Sequence, residues 1–196
     1  PVVSPKNFII MASQSTPYQA AYTFTAGTYS SKLANPTAAM AAVANASAVN
    51  PSQNLVAFGS GDSTLGYKYL GLYTWDSINA GYGSQLSGTV ATSATCTGVA
   101  FNPIDGTLST CHQTTRSLDT YPITSTGNLG TVYTAYASGP GINLAGVAYT
   151  SNGADIGVVG NTTPYIWGYP WTTAGGYGTK YSNPAAAGPA AQNAIV

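Results

Sequence analysis

The sequence predicts an all-β protein, a β-propeller of four-stranded blades about 48 residues long, and three observations carry that prediction. The first is a period. Tyr22, Tyr73, Tyr121 and Tyr169 recur at intervals of 51, 48 and 48 residues. A second set of landmarks, Val3-Ser4-Pro5, Val49-Asn50-Pro51, Phe101-Asn102-Pro103 and Tyr149-Thr150-Ser151, recurs at 46, 52 and 48. The second observation is turn chemistry: proline, Asn-Pro and Asp-Gly punctuate short aromatic and β-branched runs every 8–12 residues or so, as tight hairpins require. The third is composition, since 15 tyrosines, three tryptophans and only 5 % charged residues describe neither a disordered chain nor a helical one. A repeat of roughly 40–50 residues holding four short strands is the unit of a propeller, whose sheets must stack because one sheet cannot bury both faces alone.

Taken in order, the repeats occupy residues 1–36, 46–87, 95–135 and 143–184 of a single domain, 1–196, and 185–196 begins a next or closing blade. In the third unit the strands fall at 95–102, 106–113, 117–123 and 130–135, the first pair joined by Pro103-Ile104-Asp105-Gly106. The fourth repeats the layout at 143–149, 154–160, 165–171 and 178–181. The alanine-rich segments 37–48 and 184–194 lead from an outer strand to the next inner one. A short helix competes for 37–48, because alanine is the best helix former. In the repeat frame, 193–196 supplies the start of an innermost strand whose end lies at 1–4. Two arrangements fit: a closed four-bladed ring, or four repeats of a larger propeller, for instance one of seven blades.

Charge narrows the partners. Five basic and five acidic residues cancel, so there is no basic footprint for nucleic acid and no basic amphipathic face for a membrane surface. No apolar run reaches the ~18 residues of a spanning helix. Hydroxyls and amides take the place of surface charge.

The chemistry-bearing residues are few. His112 is the single histidine and follows Cys111 in a strand, where adjacent side chains point to opposite faces, so the two cannot share one catalytic site. Cys96 and Cys111 sit in neighbouring strands and form a possible disulfide; buried free thiols are the other expectation. Two cysteines and one histidine are too few for a structural zinc site, and no cofactor is expected. The acids Asp62, Asp76, Asp105, Asp119 and Asp155 are the sole carboxylates, with Asp105 and Asp155 at similar turn positions. Asn45 and Asn161 open glycosylation sequons. The periodic tyrosines read as packing. The aromatics outside the period, Tyr67, Tyr69, Trp75, Tyr82, Trp167, Trp171 and Tyr177, are the candidates for stacking against a flat neutral ligand such as a sugar. Trp167 and Trp171 flank Tyr169 at alternate positions and share a strand face.

The string Pro164-Tyr165-Ile166-Trp167-Gly168-Tyr169-Pro170-Trp171, with Gly176-Tyr177-Gly178-Thr179-Lys180-Tyr181-Ser182-Asn183-Pro184, resembles the repeats of WD40-like β-propeller proteins of tailed bacteriophages. Gly98-Val99-Ala100-Phe101-Asn102-Pro103-Ile104-Asp105-Gly106 and Gly27-Thr28-Tyr29-Ser30-Ser31-Lys32-Leu33-Ala34-Asn35-Pro36 extend the likeness. The second unit departs from it, with an insertion around 61–69 and Gln85-Leu86-Ser87 in place of the Lys-Tyr-Ser-Asn-Pro element. The resemblance implies a propeller scaffold in a virus particle and carries no catalytic motif. The expected function is therefore a non-enzymatic virion structural and adhesion module, with other virion proteins, contacted as an oligomer, or a host-surface glycan as its partners. A glycan-active hydrolase or lyase on a propeller, and a bacterial secreted or surface scaffold, are the alternatives.

Overall fold

The computed structural model describes residues 7–50, 52, 54–88, 92, 94–113, 117–133, 140 and 143–185. They form four antiparallel sheets joined in chain order. Sheet 1 holds β1 (Phe8–Ala12), β2 (Gln19–Thr25) and β3 (Thr28–Lys32). Sheet 2 holds β4 (Ala44–Asn50), β5 (Leu55–Ser60), β6 (Leu70–Asp76) and β7 (Gly81–Leu86). Sheet 3 holds β8 (Cys96–Phe101), β9 (Leu108–His112) and β10 (Leu118–Tyr121). Sheet 4 holds β11 (Leu144–Tyr149), β12 (Asp155–Gly160), β13 (Ile166–Thr172) and β14 (Gly176–Tyr177). Each is a meander in which consecutive strands pair.

The sequence period is a register. The four tyrosines stand on β2, β6, β10 and β13, opposite Ile9, Val56, Leu108 and Ile156. Tyr73, Tyr121 and Tyr169 are fully buried, each between its own sheet and the preceding one. Because successive side chains alternate faces, every inner sheet contributes to two cores. Sheets 1 and 2 enclose Val56, Phe58, Tyr73 and Trp75 against Phe8, Ile10 and Ala21. Sheets 2 and 3 enclose Leu55, Leu70 and Leu72 with Val99, Leu108 and Tyr121. Sheets 3 and 4 enclose Cys111 and Leu118 with Val147, Ile156, Trp167, Tyr169 and Trp171. Contacts run in series through β1, β4, β8 and β11, while sheets 1 and 4 share no substantial contact among the described residues.

The sheets are stapled as well as packed. The first strands of sheets 2, 3 and 4 each carry a register shift at one place, Ala44/Ala46, Cys96/Gly98 and Leu144/Gly146. A bulge frees one residue from ladder pairing. Here the freed Asn45 donates its amide to the Cys96 carbonyl (3.0 Å), and the freed Thr97 donates its hydroxyl to the Leu144 carbonyl (2.6 Å). Gly98 allows this approach, since a Cβ there would lie 2.7 Å from Cys111 Sγ and 3.0 Å from Gly146 Cα.

Two strands differ from expectation, and the competing helix is absent. Residues 37–48 contain no helix: β4 begins at Ala44 and pairs with β5 along its length, so sheet formation overrides alanine's propensity. The expected strand at 130–135 is reduced to isolated bridges, Thr120↔Tyr133 and Ile123↔Leu129, and residues 134–139 lie outside the described ones. The last strand of sheet 4 is Gly176–Tyr177, not 178–181, although the Gly178 and Tyr181 amides still donate to Pro170 and Gly168. The insertion at 61–69 leaves sheet 2 with four strands, and Tyr67 within it is buried against the neighbouring sheet, its hydroxyl donating to Asn128 Oδ1 (2.8 Å) and accepting from the Leu129 amide (3.2 Å). The expected composite strand at 1–4 and 193–196, and the linker beyond residue 185, lie outside the described residues.

Candidate functional site

Most sequence-predicted aromatics are spent on packing. Trp167, Trp171 and Tyr177 are buried between sheets 3 and 4, with Trp171 edge-on to Tyr177 and Tyr133 at 5.1 Å each. The clean alternation along β13 sends Trp167, Tyr169 and Trp171 inward and leaves Ile166, Gly168 and Pro170 half-buried on the other face. Trp75 is buried between sheets 1 and 2, at 4.6 Å from Phe8 and 5.2 Å from Tyr82. Tyr82 is half-buried and fronts an open groove, about 540 Å³, with Thr37, Ala38, Gly83, Ser84 and Gln85. Burial pushes the Tyr82 hydroxyl above its ordinary range. The groove is neutral and mixes hydroxyl, amide and carbonyl groups with one aromatic ring.

The Asp105 turn ties sheet 3 to sheet 4. Asn102 Oδ1 accepts the Ile104 amide (2.9 Å), and Asn102 Nδ2 donates to the Gly153 carbonyl (2.8 Å) of the equivalent turn in sheet 4. Gly153 has φ +67°, and a Cβ there would lie 2.4 Å from Asn102 Oδ1, so glycine is required. Asp105 Oδ1 accepts the Thr107 amide and hydroxyl (2.9 and 2.7 Å), while Oδ2 accepts Trp171 Nε1 (3.1 Å) and the Thr173 hydroxyl (2.6 Å). Partial burial raises the Asp105 pKa, but the hydrogen bonds from Thr173, Thr107 and Trp171 outweigh it and hold the carboxyl below its ordinary value.

Two polar networks occupy opposite faces of sheet 3. Toward sheet 2, His112 is fully buried; Nε2 lies 2.9 Å from Thr110 Oγ1 and 3.6 Å from Asp119 Oδ2, and Nδ1 lies 3.2 Å from the Ala94 carbonyl. Tyr121 donates to Asp119 Oδ2 (3.2 Å). Toward sheet 4, Ser109 bonds Thr120 and the Tyr149 hydroxyl (2.6 Å), and Thr120 bonds the Tyr177 hydroxyl (2.5 Å). Burial pushes Tyr149 up to about 12 despite those partners. This hydroxyl chain joins two sheets.

The disulfide does not form: Cys96 and Cys111 are free. The bulge at Thr97 sets Cys96 opposite His112 and Gly98 opposite Cys111, so Cys96 enters the core shared with sheet 2 and Cys111 the core shared with sheet 4. Burial raises both thiols, Cys111 to about 12.

The carboxylates serve local structure. Asp62 caps Thr64 through its amide and hydroxyl, Asp76 caps Ile78 and Asn79, and Asp155 accepts the Tyr181 hydroxyl. Asp119 sits within β10, a buried strand position rather than a turn. Among the described residues no group of three or more His, Cys or Asp side chains could hold a metal ion. Asn45, which opens a sequon, is exposed and donates its amide in the staple to Cys96. That staple was missed, although Asn45 and Thr97 stand one repeat apart.

No protein-family model matches the sequence, and no curated protein matches it. Among solved structures the chain is similar to a "putative 6-phosphogluconolactonase" from Bacteroides uniformis, with a TM-score of 0.70, 16 % identity, and coverage of 97 % of this chain and 57 % of that one. It is also similar to U3-55K, with a TM-score of 0.52, 9 % identity, and coverage of 85 % of this chain and 53 % of that one. Both are propeller-like, and at these identities the likeness speaks for fold alone. The chain spans a little over half the length of either structure.

Proposed function

We propose that the four sheets are consecutive blades of a β-propeller, and that the molecule is a non-enzymatic scaffold: a virion structural and adhesion module of an extracellular particle. What carries the reading is how the reactive residues are used. His112, Asp119, Asp105 and the buried hydroxyls join strands and sheets to one another. Rigid inter-sheet fastening is what a display scaffold needs. The resemblance to phage WD40-like repeats supplies the particle, and the sheet-to-sheet stacking agrees with blades in a ring.

The adhesion surface on this reading is the Tyr82 groove. Its phenol face, the Gln85 amide and the Thr37 and Ser84 hydroxyls suit a neutral glycan of the host surface. A glycan array probed with the purified chain, together with electron microscopy of particles assembled with and without it, tests the proposal. Binding to a glycan set, weakened by Tyr82→Ala, and density lost from the particle are expected. Neither binding nor a place in a particle refutes it. The hydrolase or lyase alternative requires two carboxylates roughly 5–9.5 Å apart across a sugar; the structural hydrogen bonds that Asp62, Asp76, Asp105 and Asp155 accept speak against it. A bacterial surface scaffold would use the same geometry, and the genes beside this one separate the two origins.

A further inference from the structure

The core between sheets 1 and 2 buries polar atoms that it does not satisfy. Six side-chain polar atoms among the described residues are buried without a hydrogen-bond partner, and five of them lie on Gln19, Asp62, Trp75 and Tyr82. Buried groups of this kind are normally paired, because an orphan costs stability. Gln19 is the sharpest case: it opens β2, shares a face with Ala21 toward sheet 2, is 1 % exposed, and has neither Oε1 nor Nε2 paired. The cores around Ser109, Thr120, Tyr149 and Tyr177 pair their hydroxyls.

These groups gather behind the Tyr82 groove, at the Tyr73 hydroxyl. That hydroxyl donates to the Ala38 carbonyl (2.9 Å) and accepts from Gln85 Nε2 (3.3 Å), and Ala38 and Gln85 both line the groove. Burial pushes Tyr73 up to about 12, and the Gln19 and Gln85 amides beside it pull the other way. Gln85 does so through its hydrogen bond, whereas Gln19 comes near without completing one. The Tyr82 ring lies 6.1 Å from that of Tyr73, and its own buried hydroxyl has no partner. Gln85 is the movable wall, half-buried on the edge strand β7 and tied to Tyr73 by a long bond.

We propose that Gln19, Tyr73 and Tyr82 form an inner subsite of the Tyr82 groove, which takes a hydroxyl-bearing arm of a neutral glycan in place of the Gln85 amide. The inference rests on the glycan reading of that groove and adds which part of the sugar is held, and by which residues. A ligand oxygen that displaces Gln85 Nε2 from Tyr73 stands beside the Gln19 amide. A hydroxyl both donates and accepts, so it can serve Gln19 Oε1 and Nε2 alike, whereas the Gln85 amide nitrogen can only donate. Asp62 sets the charge preference. It is 8 % exposed, its Oδ2 is unpartnered, and its negative charge acts on Tyr73, so an acidic sugar is disfavoured there.

The test compares Gln19→Met and Tyr82→Phe with the wild type, by thermal unfolding and on an array of neutral hexose oligosaccharides and their sialylated counterparts. Methionine keeps the length of Gln19 without a polar amide to orphan, and phenylalanine keeps the Tyr82 ring without its hydroxyl. Gln19→Met is expected to raise the Tm by about 2–4 °C, the effect of removing an unpaired buried amide from a chain of this size. It is also expected to weaken binding to neutral oligosaccharides about tenfold. Tyr82→Phe should shift both readouts in the same directions. A lower Tm in Gln19→Met overturns the inference, since the amide is then satisfied before any sugar arrives, as by an ordered water. Unchanged binding in Gln19→Met, with binding lost in Tyr82→Ala, also overturns it and leaves the groove reading standing. A signal confined to sialylated glycans overturns it too. A wild type that binds no glycan removes the groove reading itself, and this inference with it.

Discussion

Removing the Asp105 carboxylate should loosen sheet 4 from sheet 3. Asp105→Ala withdraws the acceptor from Trp171 Nε1, from the Thr173 hydroxyl, and from the amide and hydroxyl of Thr107. Water can replace the carboxylate for the exposed Thr173, at little cost. It cannot readily reach the indole N–H of Trp171, which is buried among Tyr133, Tyr149 and Tyr177. An orphaned buried donor costs about 1–3 kcal/mol. With the lost turn contacts at Thr107, the substitution is expected to destabilise by about 2–3 kcal/mol, in the range of hydrogen bonds to charged groups. For a chain of this size that is a fall in Tm of about 5–10 °C. Urea unfolding followed by tryptophan fluorescence measures it. A double-mutant cycle with Trp171→Phe isolates the pair, and a coupling of about 1 kcal/mol is expected. A loss under about 0.5 kcal/mol, or no coupling beyond the roughly 0.3 kcal/mol seen between independent sites, would refute the claim that this turn fastens the two sheets.

Three further outcomes follow from the same geometry. Thr97→Val leaves the Leu144 carbonyl without its side-chain donor and should cost about 1–2 kcal/mol in urea unfolding, with Asn45→Ala costing less because Asn45 is exposed. Asp105 has a folded pKa below its unfolded value, so its contribution is full above that unfolded value and is lost as pH falls through the folded one; the difference in Tm between the wild type and Asp105→Asn should be constant from neutral pH to about 5 and shrink below about 4. Cys96 and Cys111, both fully buried, should resist a thiol reagent at pH 8 in the native state and react in denaturant, and a reductant should leave the Tm unchanged.

The Asp105 turn shows where sequence reasoning stops. Pro103-Ile104-Asp105-Gly106 announces a hairpin, and a hairpin is there, with Gly106 at φ +72°. That the same carboxylate reaches Trp171, 66 residues away, depends on how sheet 4 packs, which no local pattern encodes. Trp171 illustrates the converse. As an aromatic outside the period it reads equally as ligand platform or core, and strand alternation gives its face but not what covers that face. Hairpin spacing leaves Cys96 and Cys111 either bridged or free, and one bulged residue decides it by sending them to different cores.

What the sequence determined by itself was the repeating unit: most of the strands, their order, and the tyrosine that recurs on β2, β6, β10 and β13. These follow from short-range physics, namely side-chain alternation, turn stereochemistry and the need of every sheet for a partner on each face. The tertiary structure decided which residues became fasteners. Asn45 and Thr97 staple adjacent sheets, Asp105 joins two turns, and His112 pairs with Thr110 and Asp119 inside the stack. Each of those roles needs groups distant in the chain to meet, and only packing brings them together. The same packing identifies the first sheet's face as unlike its three counterparts, for Ile9 and Met11 differ from Val56 and Phe58 in what lies over them, not in kind.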